Sequence, residues 1–291
     1  SLWTFFALPH AIRKETLDVF FSPTHYVPLI SSVPRTFSIM DLSYVRFSSL
    51  FQFKDRLKLR FGTQYSVKTA RKIFTISRFS KREICDFYGI AQDRVIVTYP
   101  GFNSSLFRPY HTRDIQPVLK KYTLDKDYII SIGTIQPRKN IVRLLKAFES
   151  LKNRKEKLLI IGKKGWLYKE ILSKIRNLER AGKVQYLDFV PDQDLPLLLA
   201  GARCFVLPSL YEGFGLPVVE AMACGVPVVV SNISSLPEIV GNAGILVDPY
   251  SIGSIASGIS QALSLTSRPR KTIIQKGFVQ SQQFNWHTCA Q

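Results

Sequence analysis

The sequence predicts an α/β protein with two Rossmann-like domains, and the second half of the chain carries the clearer signal. From about Lys120 onward, short apolar runs alternate with segments of helical length, which is typical of a doubly wound parallel sheet. The runs are YIISIG, KLLIIG, VQYLDFV, RCFVLPS, PVVVS and AGILVD. They are apolar on both faces, as expected where helices cover both sides of a sheet. We therefore expect each run to form a buried strand.

The first half of the chain shows the same alternation less regularly. Its strand candidates are DVFFSP, RTFSIMD, KIFTISRF and RVIVTYPG, and segments 50–70 and 81–88 have helical character. These elements match the later part of a second α/β domain. The stretch FNSSLFRPYHTRDIQP has two prolines and several turn formers, which favours a linker. The predicted domains are therefore residues 1–112, which are an incomplete domain, and residues 113–291.

The composition is that of an ordinary globular protein with a strong excess of positive charge. Of the 291 residues, 46% are hydrophobic, which is enough to bury a core and excludes global disorder. The 40 Lys and Arg residues against 21 Asp and Glu residues give a net charge of +19. Such a charge favours partners that carry phosphate, namely nucleic acid, an anionic membrane or a nucleotide. Charge alone leaves these three classes open.

Cysteine usage and hydropathy indicate where the protein works. The four cysteines have no C-x-x-C spacing and two of them sit in apolar runs, which favours a reducing compartment. No apolar stretch approaches the roughly 18–20 residues that a membrane-spanning helix needs. The first residues also lack the basic n-region and cleavage site of a signal peptide. We therefore expect a cytoplasmic protein that is soluble or peripheral to the membrane.

The most informative motif is SLYEGFGLPVVEAMACG, which follows the apolar run RCFVLPS. Gly213 and Gly215 predict a tight turn, and Pro217 suits the start of a helix. Backbone N–H groups at such a turn and helix start bind anions, so this geometry suits a diphosphate. Glu212 precedes the turn and Glu220 follows within the first helical turn. Both carboxylates are therefore expected to face one cleft.

This string resembles the E-x7-E region of family 4 retaining glycosyltransferases, which have the GT-B fold of two Rossmann-like domains facing a cleft. Other segments fall in the order that this family requires. They are TISRFSKRE, VIVTYPGFNSSLF, IGTIQPRKN, LLIIGKKGW, FVPD and SNISSLPEIVGNAGILVDP. The resemblance covers nearly the whole chain and implies a GT-B hexosyltransferase.

The resemblance implies that three residues carry the chemistry. Arg138 and Lys139 bind the donor diphosphate and stabilise the charge that develops as the nucleotide leaves. Glu212 contacts the donor sugar or its phosphate turn. The alternative for Arg138 and Lys139 is a solvated pair at a helix start. The histidines are scattered and no D-x-D string is present, so we expect no metal and no cofactor beyond the nucleotide sugar itself.

The same resemblance implies a set of donor-binding residues. Glu220 is expected to accept hydrogen bonds from ribose hydroxyls, and Val190 to lie beside the base. The backbone of the glycine turn is expected to touch sugar hydroxyls and phosphate. The full predicted set is Gly133, Val190, Gly213, Phe214, Gly215, Leu216 and Glu220.

The chain departs from the family pattern on the acceptor side. Many members carry a catalytically important His before the Asp-Leu pair of the N-terminal domain, where this chain has Met40 before Asp41. A thioether neither transfers a proton nor donates a hydrogen bond, so Asp41 is the acceptor-side candidate. The opening strand and glycine-rich loop of the family have no counterpart in this sequence. We therefore interpret the sequence as a fragment that is trimmed at both ends.

The leading functional hypothesis is a retaining hexosyltransferase of polysaccharide biosynthesis. It moves a sugar from a nucleotide diphosphate donor to a saccharide or lipid-linked acceptor, with mannose from GDP-mannose as first donor candidate and UDP-glucose as second. Met40 favours one alternative, a catalytically degenerate GT-B protein that only binds a nucleotide sugar. The other alternative is a basic nucleic-acid-binding protein, but the chain has no helix-turn-helix, zinc spacing or RNA-binding string.

A predicted helix in the first half combines an apolar stripe with basic neighbours. The stripe consists of Leu50, Phe53, Leu57, Phe61 and Tyr65. Beside it lie Lys54, Arg56, Lys58 and Arg60. Such a helix binds an anionic membrane surface, or it packs the stripe on its own sheet and leaves a solvated basic face. The first alternative predicts peripheral contact with the inner face of the membrane.

Overall fold

The computed structural model describes residues 7–48, 53–125, 127–151 and 155–291. The chain divides into two compact units, residues 1–99 and residues 100–289. Each unit is built around one parallel sheet, as the sequence predicts. The predicted domain limits at residues 112 and 113 stay a prediction.

Within the described residues, the first unit has a four-stranded parallel sheet. Its strands, in order along the chain and across the sheet, are β1 (Phe20–Ser22), β2 (Arg35–Ser38), β3 (Lys72–Thr75) and β4 (Val95–Val97). Its helices are α1 (Leu8–Lys14), α2 (Ser43–Arg46), α3 (Phe53–Thr69) and α4 (Arg78–Tyr88). Phe37, Ile39, Ile73 and Ile84 are fully buried and form the centre of its core. Each strand candidate of the first half thus forms a strand.

Helix α3 exposes the apolar stripe that the sequence identifies. Phe53, Leu57 and Phe61 are 65%, 44% and 62% exposed, while Leu50 lies outside the described residues. The helix packs through another face, whose buried residues are Thr63, Ser66 and Val67. The alternative in which the stripe packs on its own sheet is therefore wrong for these three side chains.

The described part of the second unit has a six-stranded sheet in which all paired strands are parallel. The strands are β5 (Tyr128–Ile132), β6 (Lys157–Ile161), β7 (Val184–Leu187), β8 (Cys204–Leu207), β9 (Val228–Ser231) and β10 (Gly244–Val247). They correspond to the six apolar runs. The interior positions of β5, β6, β8 and β9 are buried as predicted. The prediction is wrong for the two edge strands, because β7 buries only Val184 and Leu246 of β10 is 44% exposed.

The helices of the second unit lie between and after these strands. They are α5 (Thr112–Lys121), α6 (Ile141–Ser150), α7 (Tyr168–Arg180), α8 (Leu195–Ala200), α9 (Leu216–Ala223), α10 (Leu236–Val240), α11 (Ile252–Ser264), α12 (Ser267–Ser281) and α13 (Trp286–Ala290). The last six residues of the predicted linker, 112–117, belong to helix α5 and are helical rather than irregular. The helix continues beyond the linker and there buries Val118 and Leu119.

The strand order of the second sheet positions the functional site. Across the sheet the order is β10-β9-β8-β5-β6-β7, so the chain builds outward from β5 on one side and then from β8 on the other. Strands β5 and β8 are neighbours in the sheet, and the connections that follow them run toward opposite edges of the sheet. Open α/β sheets bind their ligands at such a switch point, beside the carboxyl ends of the strands.

Among the described residues, no helix combines the length and the apolar character that crossing a bilayer requires.

Candidate functional site

The glycine-rich turn lies at the carboxyl end of β8, beside the switch point. Gly215 has a φ of +105°, and a Cβ at this position would lie 2.7 Å from Leu236 Cδ2, so both backbone and space require glycine. Helix α9 begins at the next residue, and its second residue is a proline. Ser235 Oγ lies 2.8 Å from the backbone oxygen of Glu212 and 3.0 Å from that of Phe214, which holds the turn. The predicted strand, turn and helix start are thus all present.

The three predicted catalytic residues meet across the switch point. Arg138 and Lys139 lie in a short 3-10 helix after β5, and Lys139 and Glu212 are 73 residues apart in the chain. Arg138 Nη1 donates a hydrogen bond to Glu212 Oε2 at 2.9 Å and another to the backbone oxygen of Tyr211. Lys139 Nζ donates to Glu212 Oε1 at 2.6 Å, and Ser209 Oγ donates to the same oxygen at 2.7 Å.

This Arg138–Lys139–Glu212 cluster is buried and carries net positive charge. The three side chains are 16%, 11% and 8% exposed, so the alternative of a solvated pair at a helix start is wrong. Burial by itself raises the pKa of Glu212, but the charges of Lys139 and Arg138 bring that pKa below its ordinary value. Glu212 is therefore an anion between two cations, and the cluster attracts a further anion.

Gly133, the first residue after β5, leaves room for the side chain of Lys139. A Cβ on Gly133 would lie 3.0 Å from Lys139 Cε. The backbone oxygen of Gly133 in turn lies so near Gly162 that a Cβ on Gly162 would approach it to 2.0 Å. A larger residue at Gly162 would displace the backbone after β5, whereas one at Gly133 would press on the Lys139 side chain itself.

Comparisons with known proteins identify the family. Residues 114–278 match the model of the family described as glycosyl transferases group 1. The O-antigen chain mannosyltransferase B of Escherichia coli is 41% identical over 285 residues, which are 96% of this chain and 74% of that protein. The chain belongs to this glycosyltransferase family. The family that the sequence motifs resemble is therefore confirmed, and with it the prediction of an enzyme that transfers sugars.

A second relative of this transferase is much longer than the chain. The serotype-specific mannosyltransferase WbdA of Escherichia coli is 31% identical over 227 residues, which are 76% of this chain but 28% of that protein. The chain therefore matches one part of WbdA.

Solved structures confirm the predicted fold of the transferase. Anabaena Alr3699/HepE in complex with UDP and glucose matches with a TM-score of 0.79 at 22% identity, over 94% of this chain and 75% of that one. Sucrose-phosphate synthase from Thermosynechococcus elongatus matches with a TM-score of 0.78 at 20% identity, over 98% of this chain and 74% of that one. At these identities the likeness shows the fold, which is the predicted α/β GT-B type.

Glu220 lies in the second turn of α9, rather than in the first turn that the sequence predicts. Burial raises the pKa of Glu220 to about 7, and the negative charge of Asp192 contributes to the same shift. Val190, the predicted neighbour of the base, is buried two residues before Asp192. Glu220 and the loop that follows β7 are therefore close enough to interact. At neutral pH a smaller fraction of Glu220 than of Glu212 is ionised.

Phe214 and Leu216 complete the predicted donor-binding turn in different ways. The Phe214 side chain is 4% exposed and packs edge to face on Phe284, with ring centroids 5.2 Å apart. Its ring is therefore not available to a ligand, and the predicted contact through its backbone stays a prediction. Leu216 is partly exposed at the first position of α9, next to the glycine turn.

Asn140 is a site residue that the sequence analysis did not single out. Its Nδ2 donates hydrogen bonds to the backbone oxygens of Pro208 at 2.9 Å and Pro249 at 2.7 Å. It thereby joins the loops that follow β5, β8 and β10. Its φ of +59° is a conformation that asparagine tolerates better than most residues. The sequence signal for this residue was an Asn placed directly after the Arg-Lys pair and before a helix.

Two serines, one at the end of β9 and one in the loop that follows it, support the cluster and were also missed. Ser234 Oγ accepts a hydrogen bond from the backbone N–H of Glu212 at 3.2 Å, and Ser231 Oγ donates to the backbone oxygen of Ser209 at 2.6 Å. The serine-rich string SNISS at a strand end was the signal that could have found them. These hydroxyls orient the loop that carries Glu212.

Asp41, the acceptor-side candidate, belongs to the first unit. Its Oδ1 accepts a hydrogen bond from the backbone N–H of Ser43 at 2.8 Å, which fixes the start of α2. Met40 beside it is 41% exposed. The structure therefore gives Asp41 a local structural contact, and its role toward an acceptor stays a prediction.

In the part of the chain that the structure describes, no group of three or more His, Cys, Asp or Glu residues is arranged to hold a metal ion.

Proposed function

We propose that this transferase is a retaining hexosyltransferase that moves mannose from GDP-mannose to a saccharide or lipid-linked acceptor in polysaccharide biosynthesis. The observation that carries the proposal is the buried Arg138–Lys139–Glu212 cluster beside the glycine turn at the switch point. The names of the two Escherichia coli mannosyltransferases support mannose. UDP-glucose is the second candidate donor, because HepE was crystallised with UDP and glucose.

The cluster is suited to stabilising the nucleotide as it leaves. During transfer, the bond between the anomeric carbon and a diphosphate oxygen breaks, and negative charge grows on that oxygen. Arg138 and Lys139 supply a guanidinium and an ammonium for the phosphate oxygens. Because the cluster is buried, these charges act in a medium of low dielectric constant and are already oriented. Glu212 holds both cations in position before the donor arrives.

The acceptor step follows from the same leaving group. The acceptor hydroxyl oxygen forms the new bond to the anomeric carbon, and its proton passes to the departing phosphate oxygen on the same face of the sugar. Configuration at the anomeric carbon is thereby retained. This route needs no imidazole at the position of Met40, so the methionine is compatible with turnover.

The remaining predicted residues bind the rest of the donor. Glu220 accepts from the ribose hydroxyls and Val190 lies beside the base. Backbone groups of the turns contact the diphosphate and the sugar. These groups belong to Gly133, Gly213, Phe214, Gly215 and Leu216. Their location at the carboxyl ends of β5, β7 and β8 supports this assignment.

Calorimetry and a transfer assay on the full chain test the proposal. We expect GDP to bind with a Kd below 1 mM and GDP-mannose to be consumed in the presence of a mannoside acceptor. Binding of GDP without any turnover would instead support the degenerate alternative. Failure of both GDP and UDP to bind at millimolar concentration, together with a salt-dependent gel shift, would favour the nucleic-acid-binding alternative.

We also propose that the protein meets its lipid-linked acceptor at an anionic membrane surface, at the inner face of the membrane. The exposed side chains of Phe53, Leu57 and Phe61 support this contact, since α3 presents them to solvent instead of its own sheet. Basic side chains accompany them on the same helix, namely Lys54, Arg56, Lys58 and Arg60. Each basic residue near an anionic leaflet contributes about 1 kcal/mol, so reversible binding is expected.

Vesicle co-sedimentation at low salt tests this contact. Changing the four basic residues of α3 to Gln should greatly reduce binding to anionic vesicles. The matched control removes the same charge from α7, by changing Lys169, Lys174, Arg176 and Arg180 to Gln. Equal loss in both variants would indicate a general charge effect, and equal binding to neutral and anionic vesicles would rule out the proposed surface.

A further inference from the structure

The second unit has a cleft beside the donor site that the proposed function does not use. The loops that follow β5, β6 and β8 line it, together with the first turns of α6 and α7. None of the predicted donor-binding residues, all of which the structure describes, is in its lining. Pro137 and Leu210 are, and they belong to the loops that carry the Arg138–Lys139–Glu212 cluster. The cleft is therefore a separate cavity next to that cluster.

Aromatic and aliphatic side chains form most of the cleft. Trp166 and Leu167, in the loop after β6, are 44% and 61% exposed, and Tyr168 is half-buried at the start of α7. The buried side chains of Ile141 and Ile171 also contribute to the lining. An indole that is exposed inside a concave, mostly apolar cleft offers a flat surface to a ligand.

Backbone contacts hold the loop that carries Trp166. The N–H of Ile135 donates to the backbone oxygen of Lys163 at 2.9 Å, and the N–H of Gly165 donates to the backbone oxygen of Ile135 at 3.1 Å. Leu167 has a φ of +55°, which leucine rarely adopts, and such conformations persist chiefly at functional sites. The backbone on both sides of Trp166 therefore has a defined position before any ligand binds.

The cleft also contains charged side chains of both signs. Arg143 and Lys169 supply hydrogen-bond donors, and Glu170 supplies acceptor oxygens. Arg143 Nη1 donates to Asn140 Oδ1 at 3.0 Å, which orients the guanidinium. Lys174 Nζ donates to Glu170 Oε1 at 2.6 Å, and this hydrogen bond lowers the pKa of Glu170. The cleft thus combines an aromatic surface with fixed donors and an ionised acceptor.

These features select a class of ligand. A sugar ring has an apolar C–H face that fits an indole, and its hydroxyl groups both donate and accept hydrogen bonds. A phosphate is attracted by Arg143 and Lys169 but repelled by Glu170. A flat bilayer surface does not enter a concave cleft. The volume of about 830 Å³ lies within the range of roughly 300–1,000 Å³ that is typical of ligand sites, and a short oligosaccharide has this size.

We propose that this cleft binds a mannoside segment of the polysaccharide chain, away from the reacting sugar, with a sugar ring on the Trp166 indole and hydroxyl groups on Arg143 and Glu170. The proposal rests on the proposed function, which provides a saccharide that contains mannose. No bond is made or broken in the cleft. A second contact on the same molecule raises the affinity for a long acceptor, whereas a short acceptor does not reach both sites.

Kinetics with acceptors of different length test the proposal on the full chain. Trp166→Ala removes the aromatic surface and should raise the KM for α-linked mannopentaose at least tenfold. The KM for methyl α-mannoside and the Kd for GDP should both stay within twofold, because the donor-binding residues lie outside the cleft. Saturation-transfer NMR without a donor should show mannopentaose binding to wild type and at least tenfold weaker binding to Trp166→Ala. Trp166→Phe, which keeps an aromatic face, should retain most of the binding.

Trp286→Ala is the matched control, because it removes an indole that is 59% exposed but lies outside the cleft. It should alter none of these quantities. Equal mannopentaose binding by wild type and Trp166→Ala, or no binding by either, would overturn the proposal. An equal rise in KM for the long and the short acceptor would also contradict it.

Two further outcomes would assign Trp166 another role and equally refute the subsite. A lower Tm together with weaker GDP binding in Trp166→Ala would indicate a structural role. Loss of binding to anionic vesicles without any change in mannopentaose binding would indicate a membrane contact. Failure of the proposed function has a different signature, namely wild-type protein that binds neither GDP nor UDP.

Discussion

Two glutamates of one motif, eight residues apart, lie in opposite electrostatic surroundings. Glu212 sits in the loop before α9, where Lys139 and Arg138 hold its pKa below the ordinary value despite its burial. Glu220 sits in the second turn of α9, where burial and the charge of Asp192 raise its pKa to about 7. The same side chain is thus a permanent anion in one place and is half protonated near neutral pH in the other.

The difference shows how a single motif supplies two functions. A carboxylate between two buried cations orients them, and its loss leaves their charges unbalanced. A carboxyl group without a cationic partner is instead sensitive to pH and to a ligand that donates hydrogen bonds. Substitutions at Glu212, Lys139 and Glu220 separate these two roles.

Removing the charge of Glu212 should have the largest effect. Glu212→Gln leaves Arg138 and Lys139 buried without an anion, which should reduce the free energy of unfolding by about 3–5 kcal/mol. Denaturation in urea measures this change, and turnover should fall with it. Glu149→Gln, at an exposed position of α6, is the control and should change stability by less than about 0.5 kcal/mol. A stable Glu212→Gln protein would show that the cluster does not depend on its anion.

Removing one cation should mainly affect catalysis. Lys139→Ala should lose about 2–4 kcal/mol of transition-state stabilisation, measured from the ratio of kcat/KM values. Arg138 still neutralises Glu212 in this variant, so the fold should persist. Lys146→Ala, an exposed lysine of α6, is the matched control. Unchanged kcat/KM in Lys139→Ala would remove this ammonium from the mechanism.

The raised pKa of Glu220 predicts how stability depends on pH. The proton that Glu220 binds more tightly in the folded state stabilises the fold below pH 4.5, and this contribution is lost as pH rises through about 7. Glu220→Gln should therefore gain about 1–3 kcal/mol relative to wild type at pH 8 and little at pH 4.5. Thermal melts at both pH values measure the difference. An equal effect at both would contradict the raised pKa.

The change in donor binding should be the smallest of these effects, and it should occur over the same pH range as the change in stability. If the Glu220 carboxylate accepts from ribose hydroxyls, GDP should bind more tightly as pH rises through about 7. Glu220→Gln should raise the donor KM several-fold, which corresponds to about 1 kcal/mol of lost binding free energy, and should lower kcat less. The variant should also abolish the pH dependence of GDP binding. A loss confined to kcat would indicate a catalytic carboxylate instead.

Local patterns in the sequence were sufficient for much of the fold and for the site residues. The apolar runs predicted the strands because both faces of a parallel sheet are covered, which leaves a signature within five or six residues. The glycine turn could be predicted because Gly215 needs a positive φ and the proline favours a helix start. The linker was predicted less well, because Pro117 is tolerated in the interior of α5.

Other properties could not be predicted because they depend on residues far apart in the chain. The exposure of Phe53, Leu57 and Phe61 is one example, since an apolar stripe at helical spacing does not show which face of α3 meets the sheet. The hydrogen bonds of Asn140 are another, because they join loops that only strand pairing brings together.

The sequence by itself determined the fold class, the family and the identity of the charged residues at the switch point. Only the tertiary structure decided the pKa values of the ionisable residues at the site. A pKa is set by the loss of water around a group and by charges a few ångströms away. For Glu212 the nearest cation is 73 residues distant in sequence, and for Glu220 the interacting negative charge is that of Asp192, in the loop that follows β7. Such distances are created by folding, so no local pattern in the chain contains them.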